Sequence, residues 1–192
     1  MSYEKNNKMS IEKQFIKKLE NATIGDLAIL KRSSGRNLEE SRNALGVFYK
    51  LLPYQVHYPQ DEEIYFLIAT LYSLNKYKFT GNFGLTMRIV KQKFDSESLN
   101  KRITSLLGSN FNLVGGSYQN GGELAYKIRQ CTKLATSKEV GVDWVHLLMD
   151  LKFWTHPKKF VQKKWARSYF STKKVTNIIQ KKDKNKLKEK SN

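Results

Sequence analysis

Helical spacing dominates the order of hydrophobic and polar positions along the chain. The clearest case follows Pro59 and three acidic residues, where apolar side chains recur at i, i+3, i+4, i+7 and i+8, at Ile64, Leu67, Ile68, Leu71 and Tyr72. Negative charge just ahead of such a run is typical of a helix N-terminus. Because Phe66 and Ala69 also make this helix apolar on nearly all sides, we predict that it lies at the centre of the core.

Other stripes predict helices before this one. The first carries Ile11, Phe15 and Leu19, and another carries Leu45, Phe48, Tyr49 and Leu52 and is stopped by Pro53. Between them, the segment Thr23 to Asp26 resembles a capping box. It opens a short helix that we expect to end near Arg32, before a break at Ser33-Ser34-Gly35.

The second half of the chain shows the same helical spacing of apolar residues. Its stripes are Leu99, Ile103, Leu106 and Leu107; then Leu124, Ile128, Cys131 and Ala135; then Trp144, Leu147, Leu148, Leu151 and Trp154. Asp143 can cap the third of these helices. Pro157 is predicted as a first helical residue ahead of Phe160, Val161 and Trp165.

These patterns predict an all-α protein of about eight to nine helices, in one bundle or in two packed lobes. Because no period-2 pattern appears, no strand is predicted. The predicted organisation is a flexible N-terminus at 1–10, a helical lobe at 11–112, a Gly-rich loop at 113–122, a second lobe at 123–172 and a Lys-rich tail at 173–192. Gly81-Asn82-Phe83-Gly84 and Gly115-Gly116 lack the Lys-Ser/Thr of a phosphate-binding loop and are interpreted as turns.

The net charge of the chain indicates which class of partner this fold could bind. The 192 residues carry a formal net charge of +18, and residues 152–192 alone hold 14 basic groups against two acidic ones. A polyanion is the first partner that such a balance suggests, although lysines on helix surfaces often serve only solubility. No apolar run is long enough for a membrane span and no signal peptide is recognisable, so a cytoplasmic location is expected.

Catalytic and metal-binding groups are not recognisable in the sequence. The single Cys131 lies on an apolar stripe, which favours a small core residue over a nucleophile. His146 and His156 have the wrong spacing for a metal pair on one helix, and no carboxylate cluster lies near them in sequence. We therefore expect no enzyme, no metal and no cofactor.

Some basic residues fall in rows that suit a nucleic-acid backbone. Tyr126, Arg129 and Lys133 share one helical face, and Lys159, Lys163 and Arg167 share another. Rows of cations on a rigid helix can contact successive phosphates, and an aromatic beside them can stack on an unpaired base. The adjacent pairs Lys31-Arg32 and Lys101-Arg102 are further candidates, but the first could simply offset a helix dipole.

The order of several segments resembles the CasB family, the small subunit of the type I-E CRISPR complex Cascade. The matching segments are GDLAILKR (25–32), VFYKLLP (47–53), IYFLIATLYSL (64–74), GNFGLTMR (81–88), LNKRITSLL (99–107), YKIRQ (126–130), VDWVHLLMDLKFW (142–154) and VQKKWARSYF (161–170). No single segment is specific, but their order over residues 11–172 is.

The resemblance implies a non-catalytic, all-helical subunit in an RNA-guided antiviral complex. Its implied partners are the other Cascade subunits, a second copy of itself, the crRNA, the target DNA strand and the displaced non-target strand, which it helps to hold in the R-loop. The residues that carry over to the nucleic-acid path are Lys31, Arg32, Lys50, Lys101, Arg102 and Arg129, and Arg88 ends another matching segment. Lys31 and Lys50 stand where the family often has Arg, and Gln130 stands where a basic residue is common.

Two other functions stay open at this point. A free-standing RNA-binding protein, for instance a ribosome-associated one, would use the same basic faces. Binding to a membrane surface through residues 173–190 would need a basic amphipathic helix, and apolar residues there are too sparse to favour it.

Overall fold

The computed structural model describes residues 9–94, 97–111 and 122–172. Within them the chain forms nine α-helices and no strand, which confirms the all-α prediction. In chain order these are α1 (Ile11–Glu20), α2 (Ile24–Arg32), α3 (Arg42–Leu51), α4 (Pro59–Tyr72), α5 (Phe83–Lys93), α6 (Glu97–Leu107), α7 (Gly122–Ser137), α8 (Trp144–Lys152) and α9 (Phe160–Phe170). An isolated parallel bridge joins Lys78 to Val142.

Helix α4 lies at the centre of the core, as its pattern predicts. Every residue from Ile64 to Tyr72 is buried, and the helix packs against α2, α7 and α8. Helices α1 and α8 also pack together, as do α5 and α9. Helices on both sides of the Gly-rich segment therefore contribute to one hydrophobic core. The predicted lobe boundary at 113–122 stays a prediction, because 112–121 lie outside the described residues.

Short polar side chains begin several helices. Thr23 Oγ1 accepts a hydrogen bond from the Asp26 backbone N–H at 3.0 Å, and Asp143 Oδ1 accepts one from that of His146 at 3.1 Å. Both caps were predicted. They satisfy backbone donors that the first turn of a helix otherwise leaves without a partner.

Helix α5 corrects the interpretation of residues 81–84 as a turn. Only Gly81 lies in the turn: Asn82 is the N-cap and accepts a hydrogen bond from the Leu85 backbone N–H at 3.0 Å. Gly84 is in the first turn of the helix, where a Cβ would collide with the backbone of Trp165 in α9. The glycine is therefore required by close contact between two helices, which sequence spacing does not reveal.

Two predicted apolar positions are at the surface. The inward face of α3 carries Ala44, Phe48 and Leu51, which leaves Tyr49 49% exposed. Helix α9 begins at Phe160 rather than near Pro157, because Lys159 is its N-cap with a left-handed φ of 46°. Phe160, in the first helical position, is therefore 43% exposed. None of the helices in the described ranges is long and apolar enough to cross a membrane.

Candidate nucleic-acid interface

The C-terminus of α2 presents two predicted cations to solvent. Lys31 and Arg32 are exposed in its last turn, where positive charge is favourable beside the helix dipole. The chain then turns through Ser33, Ser34 and Gly35, and Gly35 adopts a positive φ of 96° that suits glycine. The break after Arg32 was predicted from these three residues.

Arg129 of α7 reaches this same turn. Its Nε donates a hydrogen bond to Ser34 Oγ at 2.9 Å, across 95 positions of sequence. Its Cζ lies only 3.1 Å from where a Cβ on Gly35 would be. The fold thus places the half-buried guanidinium of Arg129 beside the exposed pair at the end of α2.

A groove of about 420 Å³ between α6 and α7 collects three more predicted residues. Lys101 and Arg102 line one side, and Tyr126, which is 47% exposed, lines the other. Gln130 is also in the wall of this groove. Cations beside an exposed aromatic ring can hold phosphates while the ring stacks on a base.

Cys131 forms part of this groove, but its thiol is buried. It is only 3% exposed, and burial raises the pKa of its thiol to about 12, although the positive charge of Arg102 acts in the opposite direction. The thiolate is the reactive form of cysteine, and almost none is present at neutral pH.

Helix α7 joins the two cationic groups. Tyr126, Arg129 and Lys133 follow one another along it, and the first two contact the α6 groove and the α2 turn respectively. We call the resulting set the basic path; its residues are Lys31, Arg32, Lys101, Arg102, Tyr126, Arg129 and Lys133. With Arg129 half-buried and the other six exposed, it is a surface that can hold a strand through its backbone.

Two arginines beside this path were missed by sequence reasoning. Arg36 and Arg42 join Arg32 around a recess of about 440 Å³ between the end of α2 and the start of α3. Helical spacing gives no sign of them, because Arg36 is in a loop and Arg42 is the first residue of the next helix. The available signal was the density of basic residues between positions 31 and 42.

Three more predicted residues are exposed on helices α3 and α9. Lys50 is exposed, and its Nζ lies 3.8 Å from Asp26 Oδ2. Lys163 and Arg167 are exposed on α9, and no hydrogen bond or ion pair joins them to the path in the described part of the chain.

Arg88 is the one predicted nucleic-acid-binding residue that the fold buries. It is only 6% exposed, because its face of α5 turns inward. We therefore leave Arg88 out of the interface.

Two acidic residues, Asp143 at the N-cap of α8 and Asp150 within α8, have structural partners. Asp143 Oδ2 accepts a hydrogen bond from the Gly81 backbone N–H at 3.1 Å and lies 2.6 Å from His146 Nδ1. The buried Asp150 accepts one from Trp165 Nε1 at 2.6 Å. Among the described residues, no group of three or more His, Cys, Asp or Glu side chains could hold a metal ion.

The class of protein defined by these features is an all-α protein with a cationic path across three helices, α2, α6 and α7. The family model described as CRISPR-associated protein Cse2 matches residues 26–170. The chain therefore belongs to the Cse2 family of CRISPR-associated proteins, the CasB family that the sequence resembles.

Known relatives agree with this assignment. The CRISPR-associated protein Cse2 of Thermus thermophilus is 29% identical over 111 residues, and this match spans only 58% of each protein. The crystal structure of CasB from Thermus thermophilus has a TM-score of 0.68 at 26% identity, covering 84% of this chain and 99% of that one. A chain of a CRISPR RNA-guided surveillance complex has the same fold, with a TM-score of 0.66 at 18% identity, covering 83% of this chain and 93% of that one.

Proposed function

We propose that this chain is a non-catalytic subunit of a type I-E RNA-guided surveillance complex in the cytoplasm. There it contacts guide RNA and target DNA and helps to hold the displaced non-target strand. The observation that carries the proposal is the basic path, in which the turn after α2 meets Arg129 while α6 and α7 form one groove. The family supplies the setting: the relatives are CRISPR-associated, and one chain of like fold belongs to a surveillance complex.

The energetics of strand exchange suit such a role. Replacing a DNA duplex with an RNA–DNA hybrid is nearly balanced in free energy, so modest contacts to the backbone can tip it. A groove with cations and an exposed tyrosine gives such contacts without reading sequence. About 3–6 phosphate contacts would give a slope near −2 to −4 in a log–log plot of affinity against salt.

The test combines assembly with binding. Co-expression with the other complex subunits and a guide RNA should yield one particle that contains this chain. Within that particle, Arg102→Ala and Arg129→Ala should each weaken R-loop binding several-fold and make the salt slope shallower by about 0.7–0.9. Lys13→Ala, which removes an exposed cation on α1 outside the path, is the control and should change neither.

Each alternative has its own outcome. A chain that binds RNA but does not co-purify with the complex would be the free-standing RNA-binding protein. If Lys163→Ala and Arg167→Ala abolish R-loop binding while the path variants leave it intact, α9 is the interface and the basic path is not.

A further inference from the structure

Helix α6 carries two cations of the basic path, but little apolar packing holds it in place. Lys101 and Arg102 are exposed on it, and only Leu99, Ile103 and Leu106 of its 11 residues are buried. It packs against α7 and α9. A group that must be ordered when a ligand binds costs free energy at that moment. How firmly α6 is held therefore affects how tightly the groove binds a strand.

Polar contacts supplement this packing along α6. In its first half, Asn100 Oδ1 accepts hydrogen bonds from Lys91 Nζ of α5 at 3.0 Å and from Tyr169 Oη of α9 at 2.9 Å. In its second half, the backbone carbonyl of Ser105 accepts one from Lys127 Nζ of α7 at 3.0 Å. Asn100 thus joins the first half of α6 to two other helices through one oxygen atom.

The chemistry of the two donors determines the direction of the bonds to Asn100. The ammonium group of Lys91 can only donate, so the amide atom that faces it is the carbonyl oxygen. The hydroxyl of Tyr169 must then donate to the same oxygen. Tyr169 is 2% exposed, and burial raises the pKa of its hydroxyl to about 12. The hydroxyl therefore keeps its proton, and the bond persists, at neutral pH.

The contact of Asn100 with Tyr169 lies behind the groove between α6 and α7. Asn100 directly precedes Lys101 and Arg102, so a shift of Asn100 moves both cations. Tyr169 is close enough to Cys131, in the groove wall, for the two side chains to interact electrostatically. Neither Asn100 nor Tyr169 is among the described residues that line the groove. They can therefore act on a bound strand only by holding α6.

We propose that Asn100 and Tyr169 are positioning residues of the basic path, which hold α6 so that Lys101 and Arg102 are in place before a strand binds. This inference rests on the proposed function, because it takes the strand from there. Without the contact, α6 has to be ordered during binding, which should weaken affinity about two- to tenfold. The charge of the path does not change, so the number of phosphates contacted stays the same.

Tyr169→Phe tests the inference, because it removes only the hydroxyl. In the assembled particle it should weaken R-loop binding about two- to tenfold and leave the salt slope unchanged. Arg102→Ala, which removes a charge, should make the slope shallower by about 0.7–0.9. Tyr65→Phe is the matched control and should change neither quantity, because the buried hydroxyl of Tyr65 has no hydrogen-bond partner in the described part of the chain.

Hydrogen exchange of the full chain alone measures the hold on α6 directly. Backbone amides of residues 97–107 should exchange faster in Tyr169→Phe and in Asn100→Ala than in the wild type. Asn100→Asp keeps an acceptor oxygen for both donors and should restore slow exchange. Tyr65→Phe should match the wild type over this range. Unchanged exchange of 97–107 in Asn100→Ala would overturn the inference without any reference to nucleic acid.

The outcomes separate the inference from the proposed function. If the wild-type chain does not enter the particle, or if Arg102→Ala leaves R-loop binding intact, the proposed function fails and the inference fails with it. If Arg102→Ala weakens binding, three results overturn the inference alone. These are wild-type affinity in Tyr169→Phe, a shallower salt slope in that variant, or an equal loss of affinity in Tyr65→Phe.

Discussion

The guanidinium of Arg129 has two roles that can be separated at the scale of the residue. Its positive charge belongs to the basic path, and its hydrogen bond to Ser34 fixes it against the turn after α2. The hydroxyl of Ser34 is neutral, so it sets the direction of the Arg129 side chain without changing the charge of the basic path. The position of the guanidinium therefore depends on Ser34, whereas the charge depends on Arg129 itself.

Ser34→Ala should leave the charge of the path intact while removing this hydrogen bond. We expect a loss of about 0.5–1.5 kcal/mol in the free energy of unfolding, measured by urea denaturation. Affinity for single-stranded DNA, measured by fluorescence anisotropy, should fall less than for Arg129→Ala, which removes the charge as well. Equal losses of affinity in the two variants would contradict the primary role of charge.

At the scale of the helices, close approach between α5 and α9 constrains one glycine. Gly84 leaves no space for a Cβ, because the backbone of Trp165 is in contact with it. Gly46 of α3, in contrast, is exposed and a Cβ there would meet nothing within 4 Å. Replacing glycine with alanine should therefore destabilise the fold at position 84 of α5 and stabilise it at position 46 of α3.

Gly84→Ala should force α5 away from α9 and lower the free energy of unfolding by about 1–3 kcal/mol or more. Gly46→Ala is the matched control and should raise it by about 0.5–1 kcal/mol, because alanine restricts the unfolded chain and favours a helix. Thermal and urea unfolding of both variants measures the difference. A Gly84→Ala protein as stable as the wild type would show that the two helices can separate freely.

An ion pair between helices makes the stability depend on pH. Glu12 of α1 pairs with Lys152 of α8 at 3.2 Å. Burial raises the pKa of Glu12, but hydrogen bonds from its own backbone and from Lys152 outweigh this and hold the pKa below its ordinary value of 4.5. The charged carboxylate therefore stabilises the folded state.

Glu12→Gln should cost a few tenths to about 1 kcal/mol of stability at pH 7. Because the folded pKa is lowered, the contribution of Glu12 is fully present well above pH 4.5 and is lost as the pH falls through the folded pKa. The stability difference between variant and wild type should therefore shrink below pH 4.5 in urea titrations at a series of pH values. A difference that stays constant down to pH 2 would contradict this.

At the scale of the whole molecule, the positive charge lies partly in residues 173–192 and partly on the basic path. Residues 173–192 carry eight lysines against Asp183 and Glu189, a net charge of +6, but they lie outside the described residues and outside the family match. The basic path also carries six positive charges, and these are fixed on the folded helices α2, α6 and α7. Long-range attraction accelerates encounter, whereas fixed contacts slow dissociation.

Deletion of residues 173–192 should lower the association rate with single-stranded DNA several-fold at about 50 mM salt and much less at about 300 mM, where charges are screened. The dissociation rate should change little. Arg102→Ala, measured beside it by stopped-flow fluorescence, should chiefly raise the dissociation rate. If the deletion abolishes binding and Arg102→Ala has no effect, the basic path is wrong as the binding surface.

The sequence by itself determined the elements that depend on local physics. Apolar spacing identified α4 and its burial, Thr23 and Asp143 identified helix starts, and the order of segments identified the family. The signals for the helices and their caps lie within a few residues of the feature that they predict. The signal for the family is the order of such segments along the chain.

Only the tertiary structure decided what depends on distant parts of the chain. It buried Arg88, exposed Tyr49 and joined Arg129 to Ser34 across 95 positions. It placed Gly84 of α5 against the backbone of Trp165, where a Cβ has no room. It also gathered Arg36 and Arg42 around Arg32. The physical reason is common to all: helical spacing states which residues share a face, whereas packing decides whether that face meets solvent or another helix.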